Sequence, residues 1–204
     1  MDVVLASRNA GKLREFRHLL QPLGWRLSAI DDYDALPVAE PAPTFVENAL
    51  LKARHACRVS GHPALADDSG LEVDVLGGAP GVHSARYAGE HASDDANNAK
   101  LLHALERVPA PRRRARFVCV IVYLRRANDP TPLVAFGAWN GEILTAPRGR
   151  DGFGYDPLFW IPELEATAAE LDPATKDRLS HRGQALRKLC RALGAPLPAA
   201  DVAG

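Results

Sequence analysis

Val3-Val4-Leu5-Ala6-Ser7-Arg8-Asn9-Ala10-Gly11-Lys12 decides the fold class. Val3, Val4, Leu5 and Ala6 form a short β-branched and apolar run, which the polar Ser7-Arg8-Asn9 brings to a stop. Beyond it Leu13, Phe16, Leu19, Leu20 and Leu23 recur at the spacing of one helix face. The order is strand, loop, helix, as in an α/β protein.

Outward from this opening, residues 25–30 read as a second strand, and the acidic, proline-bearing segment 31–43 as a surface loop. Thr44-Phe45-Val46-Glu47 has the form of a capping box, and Phe45, Ala49, Leu50, Ala53, Ala56 and Cys57 continue an apolar stripe, so a helix is predicted over 44–60, ending at Gly61. Residues 64–66 and 71–76 read as two strands flanking an acidic turn, Asp67-Asp68-Ser69-Gly70, and Gly77, Gly78, Pro80 and Gly81 impose a loop. Ser93 caps a helix predicted to run to about residue 107, and 116–124, 133–139 and 141–144 read as strands. A last helix is predicted over roughly 176–193, followed by a Pro/Ala-rich tail, about 195–204, expected to be poorly ordered.

At 204 residues the chain can bury a substantial core, and a single domain of two lobes is the expectation. With 47% apolar and 25% charged residues, the composition is that of an ordinary globular protein. Lys plus Arg and Asp plus Glu balance at 25 each, so no overall field draws nucleic acid, and any phosphate site must be local. Cys57, Cys119 and Cys190 are odd in number and widely spaced, which argues against a disulfide framework or a zinc site and for a reducing, cytoplasmic setting. The N-terminal apolar run is too short for a secretory signal, and no stretch of about 18 apolar residues spans a bilayer.

Four constellations could carry chemistry. Ser7-x-Asn9-x-x-Lys12 sits between strand and helix, where helix N–H groups and an ammonium hold an anion. It lacks the first glycine and the hydroxyl of a phosphate P-loop, and the alternative is a capped helix start with a solvated lysine. Asp67-Asp68-Ser69-Gly70 offers hard oxygen ligands for Mg²⁺, with Glu40, Glu47 and Glu72 as possible companions, against ordinary turn chemistry; Glu47 already has a role as a cap. Gly149-Arg150-Asp151-Gly152-Phe153-Gly154-Tyr155-Asp156-Pro157 could stack a base on Phe153 while Asp156 accepts a purine or ribose donor, or be a tight turn with core aromatics. Lys176 and Ser180-His181-Arg182 near the last helix could meet phosphate and a carbonyl, or form a charged, solvated first turn. Asn48 and Lys52 share a helix face and could reach a ligand. Arg112, Arg113, Arg114 and Arg116 read as a solvated loop, and His18, His62 and His103 show no metal-ligand spacing.

Together these segments resemble the Ham1-like family of inosine/xanthosine triphosphate pyrophosphatases. The likeness runs in order through Leu5-Ala6-Ser7-x-Asn9-x-x-Lys12, Thr44-Phe45-x-Glu47-Asn48-Ala49-x-x-Lys52-Ala53, Ala66-Asp67-Asp68-Ser69-Gly70-Leu71, and Gly78-x-Pro80-Gly81-x-x-Ser84-Ala85-Arg86-Tyr87. It continues at Pro147-Arg148-Gly149, Gly152-Phe153-Gly154-Tyr155-Asp156-Pro157 and Ser180-His181-Arg182.

The resemblance implies an elongated α/β fold with a mixed, twisted central sheet, flanking helices and two lobes around a substrate cleft. It implies a homodimer that cleaves non-standard purine nucleoside triphosphates with Mg²⁺, without direct contact with nucleic acid. By the same resemblance Ser7, Arg8, Asn9, Ala10, Gly11, Lys12, Ser69 and Lys176 hold the triphosphate. Phe153, Gly154, Tyr155, Asp156, His181 and Arg182 surround the base. Asp68 is the general base and, with Glu40, the metal ligand. Two positions depart from the family pattern: Pro41-Ala42-Pro43 replaces a glycine-bearing spacer, and Asp177 stands where asparagine is common.

Overall fold

A computed structural model describes residues 1–34, 36 and 38–194. The expectation of a poorly ordered tail at 195–204 lies outside the described residues. Seven strands form one sheet: β1 (Asp2–Leu5), β2 (Arg26–Ala29), β3 (Ala64–Val73), β4 (Arg114–Leu124), β5 (Leu133–Ile143), β6 (Phe159–Ile161) and β7 (Ala166–Thr167), in the order β2-β1-β3-β4-β5-β6-β7. β1 runs parallel to β2 and β3, whereas β5, β6 and β7 pair antiparallel, so the sheet is mixed as expected. The helices are α1 (Ala10–Leu19), α2 (Phe45–Ser60), α3 (Asp94–Ala104), α4 (Pro173–Leu179) and α5 (His181–Ala192). None is long and apolar enough to cross a membrane.

The chain divides into two compact units, residues 1–68, 119–137 and 182–204 forming the first and 69–118 and 138–181 the second. In the first unit, side chains alternate across each strand and build two cores. Val3, Leu5, Leu65, Cys119, Ile121 and Tyr123 pack with Phe16 of α1 and with Ala185, Leu186 and Leu189 of α5. Val4, Ala64, Ala66, Val120, Val122 and Leu124 face the other way, onto the small residues Ala49, Ala53, Ala56 and Cys57 of α2. Within this unit, odd-numbered residues of β3 and β4 therefore meet α1 and α5, and even-numbered ones meet α2. The second unit has its own core, with Leu71, Val73, Phe117, Trp139, Tyr155 and Phe159 around Leu101 and Leu105.

Helix starts follow the capping chemistry. Asn9, Thr44 and Ser93 each accept an N–H from the first turn of α1, α2 and α3. α3 ends at Ala104, short of residue 107, because the following segment turns back through the Val108 N–H to Leu105 carbonyl bond.

Four readings are corrected. The acidic turn at 67–70 does not exist: β3 runs unbroken from Ala64 to Val73, and residues 74–76 are a 3₁₀ turn. Burial on both faces outweighs the turn preference of Asp-Asp-Ser-Gly. The strands at 133–139 and 141–144 are one strand, because Gly141 serves close approach: a Cβ there would strike the Trp160 carbonyl and the Phe159 ring. The last helix is two, since Ser180 takes an extended backbone with ψ 157°. The arginine cluster is a solvated loop only in part, with Arg112 and Arg114 exposed as expected. Arg113 is buried and donates to the carbonyls of Leu105, Val108 and Leu144, while Arg116 lies on β4 in an ion pair with Glu72.

Candidate functional site

In the first unit the strand parity just described separates two neighbouring carboxylates. Asp67 falls on the α1 and α5 side, and Asp68 on the α2 side. Asp67 is 1% exposed, 2.7 Å from the Lys12 ammonium and 3.6 Å from Nε of Arg182. Burial opposes its ionisation, but the charges of Lys12, Arg182 and Lys52 outweigh burial and hold the carboxyl far below the ordinary range. Arg182, also buried, donates from Nη1 to Glu15 at 2.7 Å, and these carboxylates raise its affinity for its proton against the effect of burial.

Asp68 has the opposite character. Burial raises its carboxyl, the Lys52 ammonium opposes that, and the nearby Glu40 carboxylate adds to it, leaving the group above its ordinary value. Lys52 Nζ stands 2.9 Å from Asp68 Oδ1 and 2.9 Å from Glu40 Oε2, as one cation between two carboxylates. Burial disfavours its charge, yet Asp68, Asp67 and Glu40 more than compensate. Asp68 Oδ2 is buried and accepts no hydrogen bond from the described residues. A buried, partnerless carboxylate oxygen is costly and calls for an incoming cation or donor. Among the described residues no three His, Cys, Asp or Glu side chains converge as a ready-made metal site.

The start of α1 is the candidate anion-binding element. Asn9 Oδ1 accepts from Lys12 N at 3.0 Å, and Ser7 Oγ accepts from Asn9 N at 3.3 Å. First-turn amides of a helix have no acceptor within it and point outward with the positive end of its dipole. Lys12 is not the solvated lysine of the alternative reading, since its side chain is only 18% exposed and paired with Asp67. Arg8 leans the other way, with Nη2 on the Asp34 carbonyl at 3.1 Å and Nε 3.2 Å from Asp31. Glu47 keeps to the helix cap: its N–H donates to Thr44 Oγ1, and its carboxylate accepts from the Thr44 hydroxyl at 2.5 Å. Glu40, not Glu47, is joined through Lys52 to Asp68.

In the second unit, residues 152–156 turn around Asp156. Its Oδ2 accepts from Phe153 N at 2.8 Å and from Lys176 Nζ at 2.5 Å, and packs so close on Gly152, at φ +81°, that a Cβ there would collide with it. Oδ1 takes no hydrogen bond from the described residues. The Phe153 ring is 42% exposed, with the Lys176 ammonium 5.3 Å from its centre. Lys176 thus belongs with the aromatic and Asp156, whereas the resemblance had placed it with the triphosphate. Tyr155 turns inward: it is 4% exposed, its hydroxyl donates to the Ser84 carbonyl at 2.8 Å, and burial drives its phenol well above the ordinary value. His181 is buried and stacked on Phe117, with ring centres 4.9 Å apart. Arg182, expected beside the base, instead lies in the first unit with Glu15 and Asp67.

The sequence reading gives Lys52 only as a residue that could reach a ligand, and it misses Glu15. A signal for Lys52 exists, because position 52 falls on the same α2 stripe as Ala49, Ala53 and Ala56, the face buried against the sheet. A lysine on an apolar stripe needs a carboxylate to meet it.

The chain matches a family model described as the Ham1 family over residues 3–192. It is 56% identical over 191 residues to a dITP/XTP pyrophosphatase of Vibrio cholerae, covering 94% of this chain and 96% of the relative. A dITP/XTP pyrophosphatase of Shigella flexneri is also 56% identical, over 94% of this chain and 97% of its own. Among solved structures, a HAM1 protein from Coxiella burnetii superposes with a TM-score of 0.89 at 48% identity, over 95% of this chain and 98% of that one.

Proposed function

As the chain belongs to the Ham1 family, we propose that it hydrolyses non-standard purine nucleoside triphosphates, dITP, ITP and XTP, to the monophosphate and pyrophosphate. The observation that carries this reading is the division between adjacent carboxylates: Asp67 is held by the Lys12 and Arg182 charges, while Asp68 shares the Lys52 ammonium with Glu40 and keeps a buried oxygen that takes no hydrogen bond from the described residues.

The first unit takes the triphosphate. The amides at the start of α1 and the Lys12 ammonium, which has two N–H donors beyond the one on Asp67, hold phosphate oxygens. Ser7 and Asn9 complete this group. Asp68 and Glu40 fit Mg²⁺, an ion that takes one or two carboxylates together with substrate phosphates and water. When bound there it supplies neutralisation of charge on the phosphates. Asp68 accepts the proton of the attacking water, and its raised proton affinity makes it the stronger base. The water oxygen bonds to the α-phosphorus in line with the bond to the bridging oxygen, which breaks to release pyrophosphate.

The second unit reads the base. Phe153 is a stacking surface, Asp156 Oδ1 accepts the N1–H of a 6-oxo purine, and Lys176 has donors to spare for the O6 oxygen. Adenine presents an acceptor at N1 and a donor at the 6-position, leaving these groups unmatched, and sites of this kind discriminate by roughly 10⁴ to 10⁵. The protein acts as a cytoplasmic homodimer without direct contact with nucleic acid.

The test is pyrophosphate release, with and without Mg²⁺, from dITP, ITP and XTP beside dATP, dGTP, dCTP and dTTP. The expected result is Mg²⁺-dependent release from the first three and not from dATP, dCTP or dTTP, while dGTP, which carries the same N1–H and O6, tests whether the 2-amino group is refused. Equal release from all seven removes the base reading, and binding of ITP without any release replaces the hydrolase with a nucleotide sensor.

A further inference from the structure

Gly154 lies between the exposed Phe153 and the buried Tyr155, and both ends of its backbone are held by one helix. Its N–H donates to Asp94 Oδ2 at 2.6 Å, and its carbonyl accepts from Asn98 Nδ2 at 2.8 Å. Asp94 and Asn98 are four residues apart, one turn along the same face of α3. α3 is itself anchored. Leu101 and Leu105 are fully buried, and Asn97 ties the helix to the preceding segment by accepting from Ala88 N at 2.8 Å and donating to the Ala85 carbonyl at 3.2 Å.

Gly154 has φ +61°, a conformation that side-chain-bearing residues rarely hold, and its neighbours are the base-facing Phe153 and, two residues on, Asp156. The amide of Asn98 is oriented by its bond to the Gly154 carbonyl, which leaves its own Oδ1 buried without a hydrogen bond from the described residues. Such an arrangement costs stability and is not what helix propensity alone would select.

We infer that Asp94 and Asn98 are positioning residues that clamp the Gly154 peptide and thereby set the direction of Phe153 and Asp156, and with them the selectivity for the base. The inference rests on the proposed reading of 153–156 as the base-facing segment. Neither residue touches the ligand; each acts through Gly154. Displacing a binding group by about 1 Å can cost roughly a hundredfold, so partial release of the clamp is expected to cost at least about tenfold in preference.

The experiment uses the full chain and four variants. Asp94→Ala removes the acceptor, and Asp94→Asn keeps one. Asn98→Asp replaces the donor with a group of equal size that cannot donate. Asp95→Ala removes a neighbouring first-turn acid that does not bond Gly154. Circular dichroism checks folding, and kcat and KM are measured for dITP and dATP.

The expected result for Asp94→Ala and Asn98→Asp is a rise in KM for dITP, with kcat changed less, and a dITP-over-dATP preference reduced at least about tenfold. Asp94→Asn restores the preference, and Asp95→Ala leaves it within about twofold, as surface changes away from a contact do. If Asp94→Ala fails to fold, Asn98→Asp carries the test. A wild type that prefers dITP and keeps that preference through both disruptive variants overturns the clamp. A wild type without the preference overturns the base reading itself, and the clamp's selectivity role with it.

Discussion

The two units hold their functional groups by different physics. In the first, Lys12, Lys52 and Arg182 meet Asp67, Asp68, Glu40 and Glu15 in a largely buried set of charges, each cation shared between partners or matched to one. In the second, a glycine-bearing segment is shaped by backbone hydrogen bonds, with Asp156 and Asp94 accepting from N–H groups and Asn98 and Tyr155 donating to carbonyls. Charge networks tolerate little deletion, since removing one member strands another in low dielectric. Backbone-shaping bonds give way more gradually, because each is worth about 1 kcal/mol and water or a neighbouring group can replace part of it.

The contrast breaks most sharply at Asp68. Asp68→Asn keeps the shape and loses the base, so kcat is expected to fall by up to about 10⁴-fold, some 5 kcal/mol in the barrier. Nucleotide binding, followed by calorimetry, should persist, and near-normal turnover would remove Asp68 from its assigned role.

Next in size is Asp67→Asn, which leaves Lys12 and Arg182 short of a counter-charge and should destabilise the fold by about 3–5 kcal/mol in urea unfolding at pH 7. The pH dependence has a definite sign. Asp67 holds its proton less tightly folded than the ordinary 3.8, so its contribution is complete above that value and is lost as pH falls through and below it. The gap between wild type and variant should narrow on acidification, and a gap that widens there would contradict the assignment.

In the second unit Tyr155→Phe strands the Ser84 carbonyl and should cost about 1–3 kcal/mol of stability while leaving kcat for dITP within a few-fold. Loss of turnover with unchanged stability would place the tyrosine on the base instead of in the core. The smallest effect is expected at Glu47. Glu47→Gln still carries a side-chain acceptor for the Thr44 hydroxyl and should change stability by less than about 1 kcal/mol, whereas Glu40→Gln should weaken Mg²⁺-dependent turnover. If titration of activity against Mg²⁺ showed the reverse, the two glutamates would exchange roles.

Local chemistry made much of the fold legible. The helix caps at Asn9, Thr44 and Ser93 depend on a side-chain oxygen reaching an amide two or three residues on, and that is written in the order of residues. The first strand, the loop at residues 6–9 and α2 follow from periodicity and its interruption. The turn wrongly expected at Asp67-Asp68 shows where such reasoning ends, because polar residues resemble a turn until burial on both faces shows them to be strand. The break at Ser180 and the unity of β5 were hidden for a related reason, since each depends on what packs against it. Sequence determined which residues were available for the chemistry: the carboxylates, the lysines and the glycine-rich segment. Tertiary structure alone decided which of them meet. β3 sends Asp67 and Asp68 to opposite faces, so neighbours one bond apart find different helices, different counter-charges and opposite shifts in proton affinity, a long-range outcome that no local pattern encodes.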